Sequence, residues 1–175
     1  MKNKQVCYWR NKKLAKQILK MAKLDQQVRK AYEKNSSLIK KVKAVDKTNL
    51  LKMKKIIKKF GWPTVSLVGK KASHLAWLLV QHADDDVEFQ ESCLRLMKRA
   101  VEDAGVLKTE IAFLTDRILV NKGKPQIYGT QFYKNKAGKF GPRPIRNIET
   151  IDERRKSVGL GNFKIYKKKM EKAMI

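Results

Sequence analysis

Apolar residues recur at helical spacing through most of this chain, and a small set of polar residues falls on the same faces. Leu14, Ile18, Met21, Val28 and Tyr32 are separated by three, four or seven positions, which predicts an amphipathic helix over residues 12–34. Asn35-Ser36-Ser37 interrupts that pattern. A second helix is expected over roughly 48–60, with Asp46 or Thr48 as its N-cap and Gly61 as its stop. Pro63 then favours an extended entry into the next segment. A third helix is expected over about 70–83, with Ala72, Leu75, Ala76 and Leu79 on one face. Asp84-Asp85-Asp86 separates it from a fourth, where Asp85 and Glu88 have capping-box spacing. That helix carries Phe89, Cys93, Leu96, Met97, Ala100 and Ala104, and Gly105 closes it. Thr109 caps a short helix from Glu110 to about Arg117, whose Ile111–Leu114 segment is apolar on nearly every side and should be central.

After Arg117 the period changes to two. Ile118-Leu119-Val120, a Lys122-Gly123 turn and Gln126 to Tyr133 read as a hairpin. Pro125 stands at the strand's start, where proline is tolerated. Gly138 marks another turn, and Phe140 to Ile145 supplies a third, edge strand. Thr150 and Glu153 form a capping box for a short helix to Gly159, and Asn162 caps a last basic helix. The fold class read from this pattern is α+β, mostly α: a helical domain with a small antiparallel β-meander near residues 118–145. Residues 1–11 read as a basic N-terminal extension and residues 12–175 as a single mostly helical domain, large enough to fold without disulfide or metal.

The formal net charge is +26, and it is unevenly placed. Residues 1–60 hold 20 Lys or Arg against 3 Asp or Glu, residues 61–131 hold 9 against 9, and residues 132–175 hold 13 against 4. The charge therefore lies on lysine-rich flanks around a neutral block. Such flanks imply non-specific attraction to nucleic acid at low salt, without a motif that reads sequence. Cys7 and Cys93 have no metal-ligand spacing and read as free thiols of a reducing compartment. With no secretory pattern at the N-terminus and no apolar run of membrane-spanning length, the expectation is a soluble cytoplasmic protein without membrane contact.

The polar residues on apolar faces are the candidate site. Burying a polar group costs free energy unless it finds a partner, so such residues imply a hydrogen-bond network or a pocket. Asp25 lies inside the first helix's apolar stripe, beside Gln26, with Arg29 one turn on, where the two charges can meet. His82 falls between Leu75 and Leu78 on the wheel, while His74 and Gln81 point the other way, near Trp77. Gln90 lies between Met97 and Val101. Asp116 and Arg117 end the central apolar helix. Along the expected strand, Gln126, Tyr128 and Thr130 share one face and Gln131 lies on the other. A histidine with a carboxylate permits acid/base chemistry, and an arginine with amides can hold a polar or anionic substrate. The candidates are thus His82, Asp116 and Arg117 for catalysis, and Asp25, Gln26, Arg29, Gln81, Gln90, Gln126, Tyr128, Thr130 and Gln131 for ligand binding. No nucleotide-binding loop, zinc-protease motif or metal set is present, and no cofactor is indicated.

The same residues resemble a family of bacterial domains of unknown function. The resemblance rests on Asp25-Gln26…Arg29, Gly61-Trp62-Pro63, Gln81-His82-Ala83-Asp84, Phe89-Gln90, Asp116-Arg117, Gln126 to Gln131, and Arg154-Arg155…Gly159-Leu160, and covers roughly residues 15–170. It implies a domain and a residue set, not a reaction. Three functional readings stay open: a polar pocket that binds or acts on a small polar ligand, a basic accessory protein of nucleic acid or ribosome, and a structural or partner-binding domain with a buried polar network.

Overall fold

The computed structural model describes residues 11–101 and 105–173, which gather into two compact units that divide at residues 106 and 107. The N-terminal extension expected over 1–11 and the Ala104 position thus lie, but for Asn11, outside the described residues. The architecture is mostly α, with eight α-helices and one two-stranded antiparallel sheet among the described residues. No helix among them is long and apolar enough to cross a membrane.

The first unit is a set of helices around α1, Lys12–Lys34. Asn11 caps it, its side-chain oxygen accepting from the Leu14 backbone N–H at 2.9 Å. The expected stripe of Leu14, Ile18, Met21 and Val28 is buried, and it packs on α2, Ile39–Phe60, and α4, Lys70–Gln81. Ala72 and Ala76 of α4, both buried, let the two backbones approach closely, and Val42, Met53 and Ile56 of α2 complete the core. Each fully buried branched side chain of this set contributes about 1.5–3 kcal/mol relative to exposure. Between α2 and α4, Gly61 ends α2 with φ of 68°, and a single turn, α3, Val65–Val68, starts on the side chain of Thr64. The last helix of the unit is α5, Val87–Arg99.

Three boundaries differ from expectation. The second helix starts at Ile39 rather than near Thr48, because the Ser36–Leu38 3-10 turn leads directly into it and Val42 already joins the core. Asp86, not Asp85, caps α5: its Oδ1 accepts from Phe89 N–H at 2.8 Å, and Lys54 pairs with its other oxygen. The α5 helix stops at Arg99, short of Gly105.

The second unit contains α6, Lys108–Asn121, strands β1, Phe132–Lys134, and β2, Phe140–Pro142, then α7, Ile151–Ser157, and α8, Phe163–Lys172. Ile118-Leu119-Val120, expected as a strand, continues α6 instead. Three β-branched or leucine residues do not outweigh an uninterrupted helix whose next stop is Gly123, at φ 68°. The sheet therefore has two strands rather than three and begins at Phe132. Tyr133 pairs with Gly141 across a turn closed by Asn135, whose side chain accepts from Lys139 N–H at 2.9 Å. Gln126 contributes only an isolated parallel bridge to Ile145. Thr150 precedes α7 and Leu107 precedes α6, but neither Thr150 nor Thr109 provides the expected cap bond; Asn162 does cap α8, accepting from Ile165 N–H at 3.2 Å.

Candidate functional site

The polar residues singled out in the sequence fall into two clusters, one within each unit. In the first unit Asp25 is fully buried on α1 and collects three neighbours. Its Oδ2 accepts from Gln26 Nε2 at 2.8 Å. Its Oδ1 lies 2.9 Å from His82 Nδ1 and 3.3 Å from Arg29 Nε. Arg29 reaches on to α2, where its Nη2 donates to Asp46 Oδ1 at 2.5 Å. Arg29 thereby ties α1 to α2 through a charge-assisted bond.

His82 is not part of the α4 apolar arc. It is the residue at which α4 ends, with φ −91° and ψ 4°, and its side chain keeps 16% of its surface exposed. Gln90 explains how the segment is held there. This fully buried amide on α5 donates from Nε2 to the Val80 carbonyl at 3.1 Å, with the Gln81 carbonyl and Asp84 Oδ1 each at 3.4 Å. The α5 helix thus grips the chain on both sides of His82. Gln81, expected to face outward, is buried at the same corner, while His74 is exposed and its ring lies 5.2 Å from Trp77.

Two of these distances compete for one atom, since Arg29 Nε also lies 3.0 Å from His82 Nδ1. An arginine N–H can only donate, and an ionised carboxylate can only accept. A carboxylate oxygen 2.9 Å from a bare ring nitrogen would set two lone pairs against each other. A bare Nδ1 would accept from Arg29 Nε–H at 3.0 Å, whereas a proton on Nδ1 donates to Asp25 and requires Arg29 Nε–H to turn to Asp25 Oδ1 at 3.3 Å. The second arrangement is the one that gives the buried carboxylate a donor from the ring. Nε2 then carries the lone pair, and no described residue hydrogen-bonds to it.

Burial alone would raise the Asp25 pKa. The hydrogen bond and charge of His82, the Gln26 amide and the Arg29 charge outweigh it and hold the carboxyl below the usual range. At Asp46 burial wins: the carboxyl is pushed up although Arg29 and His82 oppose, and the Asp25 charge adds to the rise. Donor atoms of Asp25, Asp46 and His82 lie within 4.8 Å of one another, a spacing that could hold a cation. Arg29 already occupies the charge-balancing position among them, so a metal would have to displace its guanidinium. Cys93 is buried on α5 and its thiol is pushed up to about 12 by burial, with the Asp86 charge adding, which favours the neutral thiol over the thiolate.

In the second unit Asp116 is fully buried on α6, and the chain after α6 wraps around its carboxylate. Oδ1 accepts from the backbone N–H of Ile127 at 2.7 Å and Tyr128 at 3.0 Å. Oδ2 accepts from Thr130 N–H at 3.0 Å and Thr130 Oγ1 at 2.9 Å. Gln126 acts in the same way on the other side of the loop. Its Nε2 donates to the Gln131 and Arg143 carbonyls at 3.0 and 2.9 Å, and its Oε1 accepts from Gln131 N–H at 2.8 Å. Arg117 Nη1 donates to Gln131 Oε1 at 3.2 Å, and Gln131 Nε2 to Thr130 Oγ1 at 3.0 Å. The expected alternating strand is therefore a loop that supplies donors to two buried acceptors. Gly129, at φ 67°, is required at its apex, since a Cβ there would lie 2.6 Å from the Phe163 ring and 2.9 Å from Ile151.

Two arginines of α7, outside the candidate set, lock that loop from the other side. Arg155 is 2% exposed and donates to the Gly161 and Tyr128 carbonyls at 2.6 and 2.7 Å, with its guanidinium 4.7 Å from the centre of the Tyr166 ring. Burial pulls its pKa down, opposed by the charges of Tyr166, Asp152 and Asp116. Arg154 donates to the Ile127 carbonyl at 2.9 Å and to the Arg146 and Asn147 carbonyls. Asp116, Gln126, Thr130 and Gln131 are thus committed to one another and to backbone, as is the backbone of Tyr128, whereas His82 Nε2 has no hydrogen-bond partner among the described residues.

Asp46 was visible to sequence reasoning only as a possible helix cap. A helix read from Ile39 would have shown it one turn after Val42, on the stripe that Asn49, Met53 and Ile56 continue. No curated protein and no solved structure matches the chain. A family model described as a family of unknown function matches residues 12–175, and by that match the chain belongs to that family, DUF6624.

Proposed function

We propose that the Asp25–His82 pair is an acid/base site for a small polar ligand, with Arg29 and Asp46 fixing its geometry. The observation that carries this reading is a buried carboxylate on His82 Nδ1 while Nε2 has no partner among the described residues. A carboxylate on one ring nitrogen fixes the tautomer and makes the other nitrogen the better base. Imidazole is also the side chain suited to proton transfer near neutral pH.

The charge of the cluster narrows the ligand. Asp25 and Asp46 face one guanidinium, so with a neutral imidazole and both carboxyls ionised the cluster carries one net negative charge. That disfavours an anionic substrate. It suits a neutral or cationic molecule with a hydroxyl or amine whose proton Nε2 accepts. Arg29 is then a positioning residue.

Acylation by diethyl pyrocarbonate tests the proposal without a known substrate. His74 is exposed and serves as the internal reference. Peptide mass mapping is expected to show His82 acylated at least as fast as His74 despite its burial, and Asp25→Asn to slow His82 alone. His82 remaining unmodified while His74 reacts would show that Nε2 is not an accessible base.

A further inference from the structure

A second feature of the first unit is unrelated to His82. A groove of about 610 Å³ runs along the α1–α2 seam, a size typical of sites for small organic ligands. Its apolar surface comes from Met21, Leu24 and Val45, and Leu24 is 47% exposed. Leu24 precedes Asp25 in the chain, but one residue turns the helix by about 100°, so the groove and the acid/base cluster occupy different sides of α1.

Two observations define what this groove would accept. Lys20, Lys23, Lys41 and Lys52 line it, and no acidic residue does so among the described residues. Asn49, also in the lining, is buried, and its Nδ2 finds no acceptor among the described residues. A buried amide N–H without an acceptor is costly, and it marks a place where an oxygen from a ligand would be bound favourably. An acceptor oxygen at Asn49, negative charge near four ammonium groups and an apolar body along Leu24 and Val45 describe one kind of molecule.

We propose that the α1–α2 groove binds an amphipathic organic anion: an alkyl or aryl chain along Met21, Leu24 and Val45, with a carboxylate or phosphate head that accepts from Asn49 Nδ2 and is neutralised by the lysines. A macromolecular surface fits less well, because the unpartnered donor is buried and requires a slender group to enter. The site does not depend on the acid/base reading, and the two fail independently.

Isothermal titration with dodecanoate tests it, using dodecyltrimethylammonium and inorganic phosphate as comparison probes, all below micelle formation. Dodecanoate is expected to bind at one site per chain, about tenfold or more tighter than either comparison probe. Leu24→Glu, on an exposed helix position, and the pair Lys20→Glu with Lys52→Glu are each expected to weaken it by about tenfold. Asn49→Leu is expected to narrow the preference for the anion over the cation while melting at or above the wild-type temperature, since it removes an amide N–H that has no partner. Equal affinity for dodecyltrimethylammonium would reduce the groove to an apolar surface. Equal affinity for inorganic phosphate would reduce it to a lysine cluster. Unchanged dodecanoate binding in Leu24→Glu would place the ligand elsewhere. Any of these overturns the proposal.

Discussion

Replacing Asp116 with alanine is expected to lower the unfolding free energy by about 3–5 kcal/mol, because several donors lose their acceptor at once and each one left buried and unpaired costs about 1–3 kcal/mol. The carboxylate accepts from three backbone N–H groups and the Thr130 hydroxyl, and these donors have no other acceptor among the described residues. An ordinary surface substitution stays within about 0.5 kcal/mol. Asp116→Asn should fall between, because the amide keeps one acceptor oxygen and turns an NH2 toward Thr130. Urea unfolding of the three proteins measures the difference. A loss below about 1 kcal/mol for Asp116→Ala would mean that the 126–131 loop holds its shape through Gln126 and Arg155 alone.

The second large effect is expected at Asp25. Asp25→Ala should cost about 3 kcal/mol, the low end of the same range, because Arg29 keeps Asp46 when Asp25 is gone. The loss should depend on pH with a definite sign. The folded-state pKa of Asp25 is depressed, so its contribution is fully present above the unfolded carboxyl's pKa and is lost as pH falls through the folded value. Wild type and Asp25→Ala should therefore converge in acid and separate toward neutral pH. Asp46 carries the opposite sign, since burial raises its folded pKa and favours the protonated form. The Asp25 charge is part of that rise, so Asp25→Ala relieves some of it and narrows the gap at neutral pH without reversing it. Thermal melts across that range check the prediction. A gap that is constant with pH would show that Asp25 contributes only shape.

The two clusters were legible in the sequence to different depths. Helical spacing on α1 is enough to place Asp25 and Arg29 on a buried face, because the stripe is long and has few exceptions. It did not reveal that Asp25's main partner is His82, since that contact joins residues 57 positions apart. The spacing carries the third helix to about residue 83 and so takes in His82, because Leu75 and Leu78 continue the apolar arc up to the helix end, whereas α4 stops at Gln81. The loop at 126–131 misled for a physical reason. Gln126, Tyr128 and Thr130 alternate with Ile127 as in a strand, but the spacing comes from backbone and side-chain donors curling around one carboxylate. Period two is a property of strands, yet a loop wound on a buried acceptor imitates it over six residues. In the aspartate run at 84–86 the spacing to Glu88 points to Asp85 as the cap, and only the geometry at Phe89 selects Asp86.

The residues that carry the sequence resemblance separate along the same line. Asp116, Gln126, Gly129 and Arg155 build the interior of the second unit, where every hydrogen bond described closes on the protein itself. Asp25, Arg29, His82 and Gln90 build a position in which one ring nitrogen has no hydrogen-bond partner among the described residues. These residues do not share one chemistry, and the division follows what each polar atom already holds.

The central claim is the state of the His82 ring, and long-range 1H–15N correlation of the side chain reads it directly. With the ring neutral, the account predicts the proton on Nδ1, an unprotonated Nε2, and loss of that tautomer preference in Asp25→Asn. A proton found on Nε2 in the wild-type protein would contradict it, because Nδ1 would then accept from Arg29 and no base would face outward.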